Sequence, residues 1–191
     1  VTHLLAENNG AGERNGNMAV DLALREKRSI LRVASRDSTE AASRQACELF
    51  GQLRRLVHVM QGAPAMIIAN LRTPAGLVNG ATGTVIGAVL REGAPEDRDI
   101  RGEVSAHNVE HVVLHVPSCR GPVIYPDHPT WLHIPPIPAR HQRVREWQRL
   151  QLPLVLVWGI TVHNSQGLTF PGGAEVDFAP HPTYQPVAWP C

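Results

Sequence analysis

The stretch Leu152–Phe170, LPLVLVWGITVHNSQGLTF, limits what this chain can fold into more than any other, because an unbroken apolar run has few ways to escape water. Leu152, Leu154, Val155, Leu156, Val157, Trp158 and Ile160 form a run rich in β-branched residues and far too short to cross a membrane. Such a run predicts a buried strand of the parallel kind, since parallel strands are covered on both faces. It stops at Thr161, His163, Asn164, Ser165, Gln166 and Gly167. In an open α/β sheet ligands bind at the carboxyl ends of strands, so this polar cluster is expected at a working edge. The reading that needs no function makes Ser165 a helix N-cap and Gly167 a turn residue.

With 191 residues the chain can bury one good core, or a smaller core plus an inserted module. Its 43% hydrophobic and 18% charged content is that of a folded domain, not of a disordered segment. A net charge of +1 excludes a globally basic nucleic-acid binder, so any such contact must come from a local patch. Seventeen of the basic residues are Arg and one is Lys27, a skew that suits bidentate phosphate contacts but also follows from base composition. Cys47, Cys119 and Cys191 are widely spaced and odd in number, which predicts neither a disulfide framework nor a zinc site and points to a reducing, intracellular compartment. No leader pattern opens the sequence and no apolar run approaches about 18 residues, so a soluble protein is expected. A start at Val1 and a proline-studded stretch from Ala179 to Pro190 suggest a chain cut at both ends.

Along the chain, Thr2–Ala6 predicts a strand and Glu7, Asn8, Asn9 and Gly10 a turn. Arg14–Arg28 follows as a helix, with Met18, Val20, Leu22 and Leu24 available to one broad face. Strand, turn and helix in that order define an α/β unit. Ser29–Val33 predicts a second strand, and Asp37–Glu40 offers an N-cap to a helix running through Arg55. Leu56–Met60 and Ala65–Leu71 are apolar, and Asn79-Gly80 between apolar runs is a strong hairpin signal leading into a strand at Gly83–Val89. Leu90–His107, charged and Gly/Pro-bearing, is expected as an exposed loop. Val109–Val116, Pro122–Tyr125 and Thr130–Ile134 predict short strands of a small β-barrel. Arg140–Leu150, with Arg140, His141, Arg143, Arg145 and Arg149, predicts a short basic helix that either tracks a phosphate backbone or is a solvated face.

Several constellations do not carry chemistry. His107, His111 and His115 have helical metal-ligand spacing, but their neighbours favour a strand, where the outer two would lie about 26 Å apart. His163 beside Ser165 lacks the G-x-S-x-G of a nucleophile elbow. The glycines of Gly76–Gly83 are not followed by Gly-Lys-Ser/Thr, so this is no phosphate loop.

The segment W-x-I-T-V-H-N-S-Q-G-L-T-F, Trp158 to Phe170, resembles a motif of superfamily-one DNA helicases of the RecD-like, petite-integration-frequency type, whose usual form is A-I-T-I-H-K-S-Q-G-x-T. Asn164 replaces the Lys common there. Gly62–Leu71 and Gly76–Val85 resemble the family's G-x-x-V-M-L-x-x-N-L and G-L-V-N-G-x-x-G-x-V, and Ala6, Asn8 and Asn15 match A-T-N-x-x-V-x-x-x-N, with Glu7 in place of Thr. The resemblance implies an α/β fold: a partial RecA-like (P-loop NTPase-type) second motor domain with an inserted SH3-like β-barrel module. It places the first part of the RecA-like domain at 1–75, the insert and return helix at 76–150 and the remainder at 151–191, ending before the family's final Y-V-A-L-S-R-like motif. The implied activity is ATP-dependent, 5′-to-3′ unwinding of DNA, in repair, recombination and telomere maintenance, with ATP and Mg²⁺ used by the full-length enzyme and neither bound by this chain alone. Implied partners are single-stranded DNA and a first RecA-like domain, without a membrane, in the nucleus or mitochondrion of a eukaryote. His163, Ser165, Gln166 and Asn8 are the implied nucleic-acid contacts, and Gln166 and Gly167 the interdomain nucleotide edge. No catalytic residue and no metal ligand is assigned. The alternative is a non-catalytic nucleic-acid or protein-interaction module derived from such a helicase.

Overall fold

The computed structural model describes residues 2–5, 17–21, 23–25, 27, 29–94, 103–161 and 174–176. The long apolar run divides between two sheets. Leu154–Leu156 (β12) pairs antiparallel with Pro64–Ile67 (β5), and Gly159–Thr161 (β13) pairs parallel with Thr2–Leu5 (β1). The expectation of one parallel strand is therefore corrected. Leu154, Val155 and Leu156 each enter a different hydrophobic cluster, so an antiparallel strand here is covered on both faces and reads as continuously apolar.

Most of the described chain builds a β-rich unit between β1 and β13. Its largest sheet has the order β12-β5-β6-β8-β9, where β6 is Thr82–Leu90, β8 Val109–His115 and β9 Trp131–Ile134. This order closes no ring. A second sheet sets Leu31–Ala34 (β2) between Leu56–Val59 (β4) and Glu103–Ser105 (β7). Val33, Val57, Val59 and Val104 from this sheet share one core with Ile67, Val85, Val112, Leu114 and Ile134 from the larger one. In β8 Val112 and Leu114 are fully buried, as is Val116 just beyond it, while His111 and His115 on the other side are only partly buried; Val113 between them is buried as well. The third sheet places Gln148–Gln151 (β11) between Ile137–Arg140 (β10) and Arg36–Asp37 (β3).

Several local expectations are corrected. The segment Arg140–Leu150 is a β-hairpin, not a basic helix. Its inward residues Arg149 and Gln151 are polar, so hydrophobic periodicity could not report the strand. The helix expected through Arg55 is a single turn, Glu40–Ser43, capped by Thr39 Oγ1 accepting from the Ala42 amide at 3.1 Å, then a 3₁₀ turn, Cys47–Phe50, closed by Gly51 at φ +62°. Residues 17–21 and 23–25 are helical, but among the described residues of this helix the buried ones are Ala19 and Ala23, packed near Ile30, Met60, Ala63 and Leu156, while Met18, Val20 and Leu24 are exposed; Leu22 lies outside the described residues. Pro122–Tyr125 is irregular. Of the expected loop Leu90–His107, residues 95–102 lie outside the described residues, and Val104 and Ala106 are fully buried.

Candidate nucleic-acid interface

The remaining sheet is parallel, with β1 between β13 and Ala174–Val176 (β14). Leu4 stands opposite Ile160 and Val176, and Leu5 opposite Thr161, so all three strands end at the same edge. Parallel neighbours are about 4.8 Å apart. Asn8 follows three residues after Leu5, and His163 two residues after Thr161. The segments bearing the expected contact residues thus leave adjacent strand ends. Asn8, His163, Asn164, Ser165, Gln166 and Gly167 themselves lie outside the described residues.

The second motif-bearing region is the connection from β5 to β6. Asn70 Oδ1 accepts the Asn79 amide at 2.9 Å, and Gly80 takes φ +92°, which only glycine adopts without strain. Within the glycine-bearing loop, the amides of Gly76, Leu77, Gly80 and Ala81 donate to the carbonyls of Thr73, Arg72, Ile67 and Val78. Those donors are spent on the loop itself. The segment therefore shapes a chain reversal and is not a phosphate cradle.

Two arrangements escaped the sequence reading. On the outer side of β8 and β9, His111 stacks on His133 at 3.7 Å and His128 on Trp131 at 3.8 Å, with Tyr125 edge-on to both His133 and Trp131. The Tyr125 hydroxyl lies 2.8 Å from His133 Nε2. Burial and the neighbouring His133 push the His111 pKa down, against the opposing pull of Glu110; burial and then Arg32 push His58 down. His107, the third member of the spaced histidines, sits in a 3₁₀ turn, Ala106–Asn108, and no group of three metal-binding side chains occurs among the described residues.

The other is Arg149, fully buried although charged. Its Nε donates to Asp37 Oδ1 at 2.7 Å, Nη1 to the Leu53 carbonyl at 3.0 Å, and Nη2 reaches the carbonyls of Ala42, Ser43 and Gln45; the guanidinium lies 4.4 Å from the Phe50 ring centroid. Ser35 Oγ donates to the second Asp37 oxygen. Of the basic residues of Arg140–Leu150, Arg149 thus works inward, as a structural tie.

A parallel sheet whose strands end at one edge, with a β-rich unit carried between β1 and β13, is a fold shared with the crystal structure of Pif1 helicase from Candida albicans, which the chain matches with a TM-score of 0.61 at 21% identity, over 92% of this chain and 38% of that one. A Bacteroides Pif1 structure bound to single-stranded DNA gives a TM-score of 0.58 at 16% identity, over 92% of this chain and 34% of that one. In sequence the chain resembles PIF1-type superfamily-one helicases in their C-terminal region, being 26% identical to the zebrafish (Danio rerio) ATP-dependent DNA helicase PIF1 over 183 residues, 88% of this chain. It spans a quarter (25%) of that relative's length. No family model matches the chain.

Proposed function

We propose that this chain is the C-terminal motor half of an ATP-dependent, 5′-to-3′ DNA helicase, contributing single-stranded DNA contacts and part of an interdomain ATP site. The observation that carries the reading is the shared carboxyl edge of β1 and β13, from which Asn8 and the His163–Gly167 motif both depart. His163, Ser165, Gln166 and Asn8 contact the strand, and Gln166 and Gly167 border the nucleotide. In this reading the parallel sheet of β1, β13 and β14 is the RecA-like part, and the β-rich unit carried between β1 and β13 is the inserted module. The similarity to PIF1 along 88% of the chain and the fold shared with a Pif1 bound to single-stranded DNA support this assignment.

ATP and Mg²⁺ belong to the full-length enzyme and to the first RecA-like domain that supplies a phosphate loop. The present sequence contains no G-x-x-x-x-G-K-[ST], so the 191-residue chain is expected to be catalytically silent. ATP turnover by the purified chain above that of a Gln166→Ala control would refute this. DNA contact is tested by fluorescence-anisotropy titration of a labelled single strand at two salt concentrations. Salt-dependent binding that is lost in His163→Ala supports the reading; binding that His163→Ala leaves unchanged removes the motif from the interface.

A further inference from the structure

The sheet β10-β11-β3 has two chemically opposite faces. Asp37, Ala139, Arg149 and Gln151 point inward, whereas Arg36, Pro138, Arg140 and Gln148 are exposed. Arg36 is in register with Leu150, Leu150 with Pro138, and Gln148 with Arg140, so Arg36 and Arg140 emerge on one outward face although 104 positions separate them in sequence. The turn joining β10 to β11 adds Arg143 and Arg145, both exposed. Ion pairs among the described residues engage Arg32, Arg44, His111 and Arg149 and none of these four arginines. Glu146 is the one exposed acid within the turn. Charge of this density stands out in a chain whose net charge is +1.

The turn is also held in shape. His141 is buried, its Nδ1 accepting the amides of Arg143 at 3.1 Å and Val144 at 3.0 Å, its ring edge-on to Phe50 and Trp147. The His141 amide donates to the Trp147 carbonyl at 2.9 Å, and Ser38 Oγ accepts the Gln148 amide at 3.0 Å. A backbone fixed in advance lowers the ordering cost of binding. The one aromatic side chain of the turn, Trp147, is half-buried, so the face offers guanidinium groups to phosphates and no exposed ring to bases.

We propose that Arg36, Arg140, Arg143 and Arg145 form a phosphate-tracking face for single-stranded nucleic acid, built from residues other than those of the His163–Gln166 motif. It rests on the helicase reading for its choice of polyanion and on the exposed, unpaired charge for its place. Binding there is indifferent to base sequence and steeply dependent on salt.

The test is the salt dependence of oligothymidylate binding to the 191-residue chain, compared among wild type, the fourfold variant Arg36→Gln, Arg140→Gln, Arg143→Gln, Arg145→Gln, and His163→Ala. Each phosphate contact removed lowers the slope of log affinity against log salt by about 0.7 for a single strand, so the fourfold variant is expected to lose up to about three units. An unchanged thermal midpoint in that variant establishes that its fold is intact. A wild-type slope in the fourfold variant overturns the proposal, and leaves the helicase reading standing if His163→Ala still abolishes binding. A slope lost in the fourfold variant but kept in His163→Ala supports the face and counts against the motif. Absence of binding by the wild type overturns both. Oligoglutamate competing as well as oligothymidylate of equal charge would overturn the choice of nucleic acid as partner.

Discussion

A guanidinium as dry as that of Arg149 is tolerated only because its donors are answered, by Asp37 and by the backbone carbonyls around Leu53 and Ala42. Arg149→Met would leave the Asp37 carboxylate buried without its partner, at an expected cost of about 3–5 kcal/mol measured by urea unfolding. Arg149→Lys is expected to recover little, because an ammonium cannot span a carboxylate and several carbonyls at once. Two histidines give a pH dependence. His58 and His111 both have folded pKa values lowered from the ordinary 6.5, so the unfolded chain takes up protons first as the pH falls. Stability from this source is therefore constant above about 6.5 and declines below it until the folded pKa values are reached. Urea midpoints recorded at pH 7.5 and pH 5.5 are expected to differ in that sense, and His58→Gln should shrink the difference. In the sequence, Arg149 was one basic residue among several in a charged segment; its partner stands 112 positions away, and no local pattern connects the two.

Strands with an alternating apolar face were legible element by element. Leu31–Ala34, Thr82–Leu90, Val109–His115 and Trp131–Ile134 all lie where apolar patterning or turn chemistry placed a strand. Legibility failed where tertiary partners replaced hydrophobic side chains: β11 turns Arg149 and Gln151 inward, Gln151 donating to the Val33 carbonyl at 3.0 Å and accepting the Leu152 amide at 2.8 Å. It failed also at the helix expected beyond Ser43, since the carbonyls of Ala42, Ser43 and Gln45 turn toward the Arg149 guanidinium. The motif at Thr161–Gly167 was legible as sequence, and β13 supplies the strand before it. The β6–β8 pairing makes its own demand: a Cβ on Gly83 would lie 2.3 Å from the His115 carbonyl oxygen. Backbone must then move. Gly83→Ala is expected to destabilise by about 1–3 kcal/mol, with faster hydrogen exchange concentrated in β6 and β8.

For the molecule as a whole, the shared core joining the β4-β2-β7 sheet to the five-stranded sheet implies that the two cannot melt independently. Tryptophan fluorescence and far-ultraviolet circular dichroism are expected to report one coincident urea transition for this β-rich unit; a separate early transition in either signal would count against a single core. The parallel sheet obeys a different logic, set by the order in which the chain is made. Roughly 150 residues separate Leu5 from Gly159, so at a synthesis rate of about 5–20 residues per second β1 leaves the ribosome on the order of ten seconds before the strand it pairs with. Its described neighbours are β13 and β14, both late. Until they arrive, β1 is an open edge available to any other strand, and the β-rich unit has time to fold ahead of it. The yield of correctly assembled protein in a cell is then governed less by the final stability of the sheet than by how long its first strand can be kept from the wrong partner.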